Sequence, residues 1–382
     1  MTSHSRSARA EIARLQTFAP VLSALGNQLA ARRPFEGRTV GVVAHLTPPT
    51  AALLLELQLG GGRFVVAGAA EATTDQEIVR LLRDEGLTVH TPGARAEAQR
   101  ALLDEGPEIL ADAGGDLVGT LLRWRPEAAG RVRGAAVLGR SAARRLGGLN
   151  PPFPVVDLTA GTLKVAVENR TGVGLGVWQA VQALTGLHLA GRRVAVLGYG
   201  PVGQGVAAAA RAMGAQVDVV ELDPVRRLLA HYDGYGVPTL GAAVEAAGVL
   251  VTCTGVDGAL PAEALLRARD GLVLANAGHG GHEVDVPGVA AVAARVDEVA
   301  EGVTRYQFEG GPMVTVLGGG HPINIVMNAG SPEPLLLLFA LLGLTLADLA
   351  ENERPAGVVG APRALEAAAA ALALHALGAD RG

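Results

Sequence analysis

The sequence predicts an α/β protein of the doubly wound kind, with mostly parallel sheets covered on both faces. Three observations carry this. Short apolar runs alternate with helix-patterned segments in both halves of the chain. A glycine-punctuated turn joins a strand to a helix near the middle. The 382 residues, 49% hydrophobic and 18% charged, supply the cores of two or three domains and exclude disorder throughout.

In chain order, residues 8–32 carry apolar positions at helical spacing (Ile12, Leu15, Phe18, Leu22, Leu25, Leu29), and residues 38–46 read as a buried strand. A helix over 50–59 ends at Gly60-Gly61-Gly62. Residues 64–67 form a strand, 76–87 a helix, and 88–90 and 109–112 two further strands. Residues 124–162 are rich in Gly, Pro and Arg and read as connection with a short strand or two. A long helix over 168–187 leads into strand 193–197, helix 203–213 and strands 216–221, 248–254 and 271–276. The apolar run 334–346 reads as a buried helix, too short to span a bilayer, and 361–378 as an Ala-rich helix.

Composition narrows the function classes. The net charge of -5 is spread along the chain without a dense basic block, so no nucleic acid partner is expected. The polar N-terminus lacks the apolar core of a secretory signal, and no membrane association is expected. With one cysteine, Cys253, no intrachain disulfide is possible, which fits a reducing cytoplasm. The histidines are scattered, and no Cys/His spacing indicates a metal site.

The chemistry concentrates in one motif. Strand 193–197 runs into Gly198-Tyr-Gly200-Pro201-Val202-Gly203 and then into a helix, and Glu221 closes the next strand. The first glycine permits the tight turn. The second lets backbone approach a pyrophosphate, and the third lets helix and strand pack closely. The helix N-terminus offers N–H groups to phosphates. An acid at the end of the second strand binds the ribose hydroxyls and disfavours a 2′-phosphate. This is a Rossmann-type fingerprint, and Glu221 selects NAD. FAD is the alternative, although its fingerprint usually opens a chain.

Further residues resemble one family. The segment Leu189-Ala-Gly-Arg-Arg-Val-Ala-Val-Leu-Gly-Tyr-Gly-Pro-Val-Gly-Gln-Gly205 resembles the NAD-binding segment of S-adenosylhomocysteine hydrolases. Val220-Glu-Leu-Asp-Pro224, Val251-Thr-Cys-Thr-Gly255, Asn276-Ala-Gly-His279 and Gly320-His321-Pro322 match the family in order. So, upstream, do His45-Leu-Thr47, Asp112-Ala-Gly-Gly-Asp116, Lys164 and Asn169. The resemblance implies a Rossmann-type NAD-binding domain, residues 166–322, inserted in a second, doubly wound α/β substrate-binding domain, residues 1–165 and 323–382. It implies that tightly bound NAD oxidises a nucleoside 3′-hydroxyl. The ketone acidifies the 4′ proton, the 5′ substituent leaves, water adds and the hydride returns. A small-molecule nucleoside and a homo-oligomer, dimer or tetramer, are the implied partners.

The resemblance implies catalytic roles for Lys164, Glu168, His45, His279 and His321. It places substrate contacts at Thr47, Thr50, Asp112 and Asp116. Cofactor contacts fall at Asn169, Gly198, Gly200, Pro201, Val202, Gly203, Glu221, Thr252, Thr254 and Asn276. Simpler readings stand beside some of these: a helix ion pair for Lys164 and Glu168, a packed strand-end residue for His45, hinge geometry for His321.

The departures are as informative. The family's acid–base Asp falls on Ala113, its sugar-contacting Glu on Leu138, a cofactor-side Cys on Val173 and its adenine-reading Glu on Pro49. Glu168 replaces an Asp, and the C-terminal Lys/Tyr tail has no counterpart. General acid–base groups are each worth roughly 10²–10⁴-fold in rate. The expectation is therefore a changed nucleoside, with a dehydratase that loses water from a 5′-hydroxyl favoured, in specialised and possibly nucleoside-antibiotic metabolism. A genuine adenosylhomocysteinase, a non-catalytic NAD-binding regulator and an ordinary hydroxy-acid or amino-acid dehydrogenase are the alternatives.

Overall fold

The computed structural model describes residues 7–91, 95–113, 116–139, 143, 145–146, 148–278 and 282–378. It divides into two compact units, residues 1–165 with 332–382, and residues 166–331. The strands described are β1 (Thr39–Ala44), β2 (Arg63–Gly68), β3 (Thr88–His90), β4 (Ile109–Ala113), β5 (Gly134–Val137), β6 (Pro154–Asp157), β7 (Arg193–Leu197), β8 (Gln216–Val220), β9 (Val249–Thr252), β10 (Leu272–Asn276), β11 (Ala293–Ala300), β12 (Val303–Phe308), β13 (Met313–Leu317) and β14 (Gly357–Gly360).

The first unit holds a sheet of order β14-β6-β5-β4-β1-β2-β3, parallel throughout. Its central strands are continuous apolar runs because both faces are covered. One face packs on a core with Leu25, Phe35, Leu54 and Leu341, the other on a core with Leu102, Leu121 and Phe153. The helical pattern over 8–32 is two helices, Ala8–Phe18 and Val21–Arg32. Pro20, which lacks an N–H, stands between them and caps the second. The run 334–346 lies within a longer helix, Glu333–Glu351, of 19 residues. That helix is long and apolar enough to cross a membrane, so shortness does not explain it. Its burial does: it packs on helices Val21–Arg32, Pro48–Gln58 and Arg363–Ala376 and on β4 and β5.

The second unit holds a sheet of order β11-β12-β13-β10-β9-β7-β8. The five strands β8, β7, β9, β10 and β13 are parallel, and β12 and β11 add an antiparallel edge that the sequence pattern did not reveal. The unit also runs past the expected boundary at Pro322. Ile323 is fully buried in its core with Val177 and Trp178, and a Cβ on Gly330 would stand 2.9 Å from Gly176 Cα. The helix expected over 168–187 is a wide-turned π segment, Leu163–Val173, followed by an α-helix, Gly174–Thr185. The second helix ends at Gly186 in the left-handed region (φ 66°), the usual glycine stop.

Candidate active site

In the second unit β7 pairs with β8 on one side and β9 on the other, so the topological switch point lies between β7 and β9. Ligand crevices of doubly wound sheets open there, beyond the carboxyl ends of the strands. Gly198 leaves β7 at φ 98°, and a Cβ on it would stand 3.0 Å from the Cys253 carbonyl oxygen. On Gly203 a Cβ would fall 2.0 Å from the Gly198 carbonyl, so strand and helix approach as only glycine allows. Helix Pro201–Ala212 starts at Gly200, which provides no side-chain cap, and Pro201 and Val202 form its first turn. This is a cradle for a pyrophosphate. The Glu221 carboxylate closes one side of it. It accepts the Tyr199 N–H (2.7 Å) on one oxygen, and the Leu222 (2.7 Å) and Asp223 (3.0 Å) N–H groups on the other. A carboxylate held against this loop suits a ribose diol and repels a 2′-phosphate, so the residues fit NAD.

Tyr199, between the first two glycines, is a residue the fingerprint does not single out. It turns away from the crevice, 2% exposed, and its hydroxyl donates to Asp233 (2.6 Å). Burial, with the Asp233 carboxylate beside it, pushes the phenol pKa up and keeps that donor protonated. Arg211 stacks on Tyr235 at 4.2 Å and donates to the Asp233 carbonyl (2.6 Å), completing a brace behind the loop.

The carboxyl ends of β9 and β10 need a correction. Thr252 and Asn276, expected as cofactor contacts, are fully buried and bonded to each other, the threonine hydroxyl donating at 3.0 Å. Asn276 also accepts the Gly278 N–H (2.7 Å) and donates to the carbonyls of Gly278 (3.1 Å) and Gly320 (2.9 Å). Its side chain is spent on tying the end of β9 and two loops together. One of these loops is Gly318–Gly320, all three residues at positive φ, which delivers His321 after β13. Thr254 points inward too, donating its hydroxyl to Glu283 (2.8 Å), a residue with no signal in the sequence beyond its charge. Glu283 is fully buried, and burial raises its carboxyl pKa against the opposing pull of the Thr254 and Gly255 hydrogen bonds.

In the first unit the switch point lies between β1 and β4, where Ala44 pairs with Ala113. His45 leaves β1 there. The His45 ring nitrogen Nδ1 lies within hydrogen-bond distance of the Thr73 hydroxyl (2.7 Å), which also reaches the Ala70 carbonyl (3.2 Å). Thr47 occupies the N-cap position of helix Pro48–Gln58 without a side-chain capping hydrogen bond, and Thr50 is buried in its first turn. Asp112 and Asp116, expected as substrate contacts, are both engaged within the chain. Asp112 is 1% exposed and accepts the Leu117 N–H (2.7 Å), and Asp116 is ion-paired with Arg123 (2.7 Å) and Arg145 (3.5 Å).

Lys164, Glu168 and Asn169 all lie in the π segment, with Glu168 and Asn169 buried. Such wide turns are rare and occur frequently at functional sites. His279 lies outside the described residues.

The comparisons with known proteins agree with this geometry. The NAD-binding domain family of S-adenosyl-L-homocysteine hydrolase matches residues 171–330. The chain is 33% identical to an adenosylhomocysteinase of Thermotoga maritima, covering 88% of this chain and 86% of that protein. It is 31% identical to an S-inosyl-L-homocysteine hydrolase of Methanopyrus kandleri, covering 94% and 88%. With an NAD crevice built as described and likeness over nearly its whole length, the chain belongs to the S-adenosyl-L-homocysteine hydrolase family and is an NAD-binding enzyme of that type.

Proposed function

We propose that the protein cleaves a 5′-thioether nucleoside by NAD-dependent oxidation and elimination, and that the base it accepts is not adenine. One observation carries the change of base. Helix Pro48–Gln58 opens with Pro48 and Pro49, both buried, and Pro49 occupies the place of the family's adenine-reading Glu. A proline side chain cannot accept a hydrogen bond from an exocyclic amine. A 6-oxopurine needs no such acceptor. The relatives bear names of both kinds, adenosyl and S-inosyl, at similar identity, which supports tolerance at the base.

Bound NAD supplies a reversible hydride acceptor for the sugar 3′ carbon. Glu221 holds the adenosine ribose of the cofactor, and the first turn of helix Pro201–Ala212 its phosphates. Lys164 and Glu168 hold the substrate 3′-hydroxyl and take its proton. His45, with Nδ1 beside the Thr73 hydroxyl, carries the proton for the leaving 5′ atom on Nε2. Alanine at 113 provides no acid or base of its own, so proton transfer at the 5′ atom rests on His45. The dehydratase is the second reading, favoured by the same alanine together with Leu138: with fewer bases to activate water, the reaction stops before re-addition.

Protein as isolated, mixed with S-inosylhomocysteine, S-adenosylhomocysteine and 5′-hydroxyl nucleosides in turn, distinguishes these by reduced-nicotinamide absorbance, thiol release and product mass. Homocysteine released faster from the inosyl than from the adenosyl compound is the expected result. Preference for the adenosyl compound would refute the changed base. Loss of one water from a nucleoside without thiol release would establish the dehydratase. No reduction with any compound would refute both readings.

A further inference from the structure

Glu283 is a buried carboxylate that the roles assigned above leave unused. It is 0% exposed, and among the described residues no cation pairs with it. A buried charge without a counter-ion is costly unless hydrogen bonds compensate it. The bonds are specific. One oxygen accepts the Thr254 N–H (2.7 Å) and hydroxyl (2.8 Å), the other the Gly255 N–H (2.6 Å). The second oxygen also abuts Gly278, where a Cβ would fall 1.4 Å from it. The carboxylate thus sits at the junction of two turns, one leaving β9 and one leaving β10.

That junction has a defined place along the cofactor. The glycine turn after β7 and Glu221 after β8 take the pyrophosphate and the adenosine ribose. A dinucleotide crossing the switch point therefore carries its other half to the β9–β10 side. Oxidised nicotinamide is a cation and the reduced ring is neutral. A charge fixed in low dielectric discriminates between them far more than one in water.

We propose that Glu283 is a positioning residue for the bound cofactor: it holds the Thr254–Gly255 turn and its charge favours the oxidised over the reduced nicotinamide. The inference rests on the NAD site described above. A purely structural Glu283 would affect both redox forms alike.

The test is binding, not turnover. Full-length protein stripped of cofactor is titrated with NAD⁺ and with NADH, for wild type and Glu283→Gln. Gln retains the shape and an acceptor oxygen but not the charge. The expected result is that affinity for NAD⁺ falls about tenfold more than affinity for NADH. Equal weakening of both forms, or no change in their ratio, would overturn the proposal. Glu283→Asp and Glu283→Asn, one methylene shorter and differing only in charge, repeat the comparison if the Gln variant does not fold. Asp must then favour NAD⁺ relative to Asn, and a shared ratio overturns the proposal. Wild type that binds neither form would instead refute the NAD site itself.

Discussion

Buried carboxylates in this protein show how neighbours decide what a charge is for. Glu56 is 7% exposed in helix Pro48–Gln58, where Oε1 accepts from Gln16 Nε2 (3.0 Å) and Ser23 Oγ (3.1 Å). Burial raises its pKa, and the two hydrogen bonds only partly oppose that. A raised carboxyl pKa means that the folded state holds the proton more tightly than the unfolded one. The charge therefore costs stability at neutral pH, and the cost fades as pH falls through the raised value toward the ordinary 4.5. Glu56→Gln keeps an acceptor for both donors. Its melting temperature should exceed wild type by roughly 1–3 °C at pH 8 and match it near pH 4. A gap that widens on acidification would contradict the sign. Glu221 was legible from its place after a strand. Glu283 was not, because only the fold brings a residue after β10 under the turn after β9.

At the scale of elements, glycines set the close approaches. Gly203 was identified from spacing, and a Cβ there would meet the Gly198 carbonyl at 2.0 Å. Gly203→Ala should therefore push helix Pro201–Ala212 off β7, lowering NAD affinity at least tenfold and stability by about 1–3 kcal/mol. Isothermal titration and denaturant unfolding check both, and unaltered NAD binding would refute the packing role. Gly174 and Gly205 perform a similar service that spacing did not reveal. A Cβ on Gly174 would stand 2.4 Å from the Gly205 carbonyl carbon, and one on Gly205 2.3 Å from the Arg170 carbonyl oxygen. Two helices distant in sequence meet there, backbone to backbone. The π segment was likewise invisible, since its residues suit an ordinary helix and only its packing reveals the wide turns.

The described residues form two units with separate cores, each built on a seven-stranded sheet. Calorimetry should resolve two transitions. Added NAD should raise only one of them, by about 2.7 kcal/mol of stabilisation at a hundred times its dissociation constant. That transition should belong to the unit containing Gly198 and Glu221, a point checked by its disappearance under NAD in the Gly203→Ala variant's difference scan. A single transition shifted as a whole would show that the two units unfold together.

The sequence by itself determined the alternation of strand and helix, the NAD fingerprint with its acid, and the family. Each of these is written in local patterns of a few residues, where apolar period, glycine freedom and charge act through the backbone nearby. Only the tertiary structure decided which side chains of the motif remain available to a ligand. Asn276 and Thr252 match the family in sequence, yet they spend their hydrogen bonds on each other and on the loop before His321. Asp116 matches too and lies in an ion pair with Arg123. Hydrogen-bonding capacity is finite, and the claims on it come from residues far away along the chain.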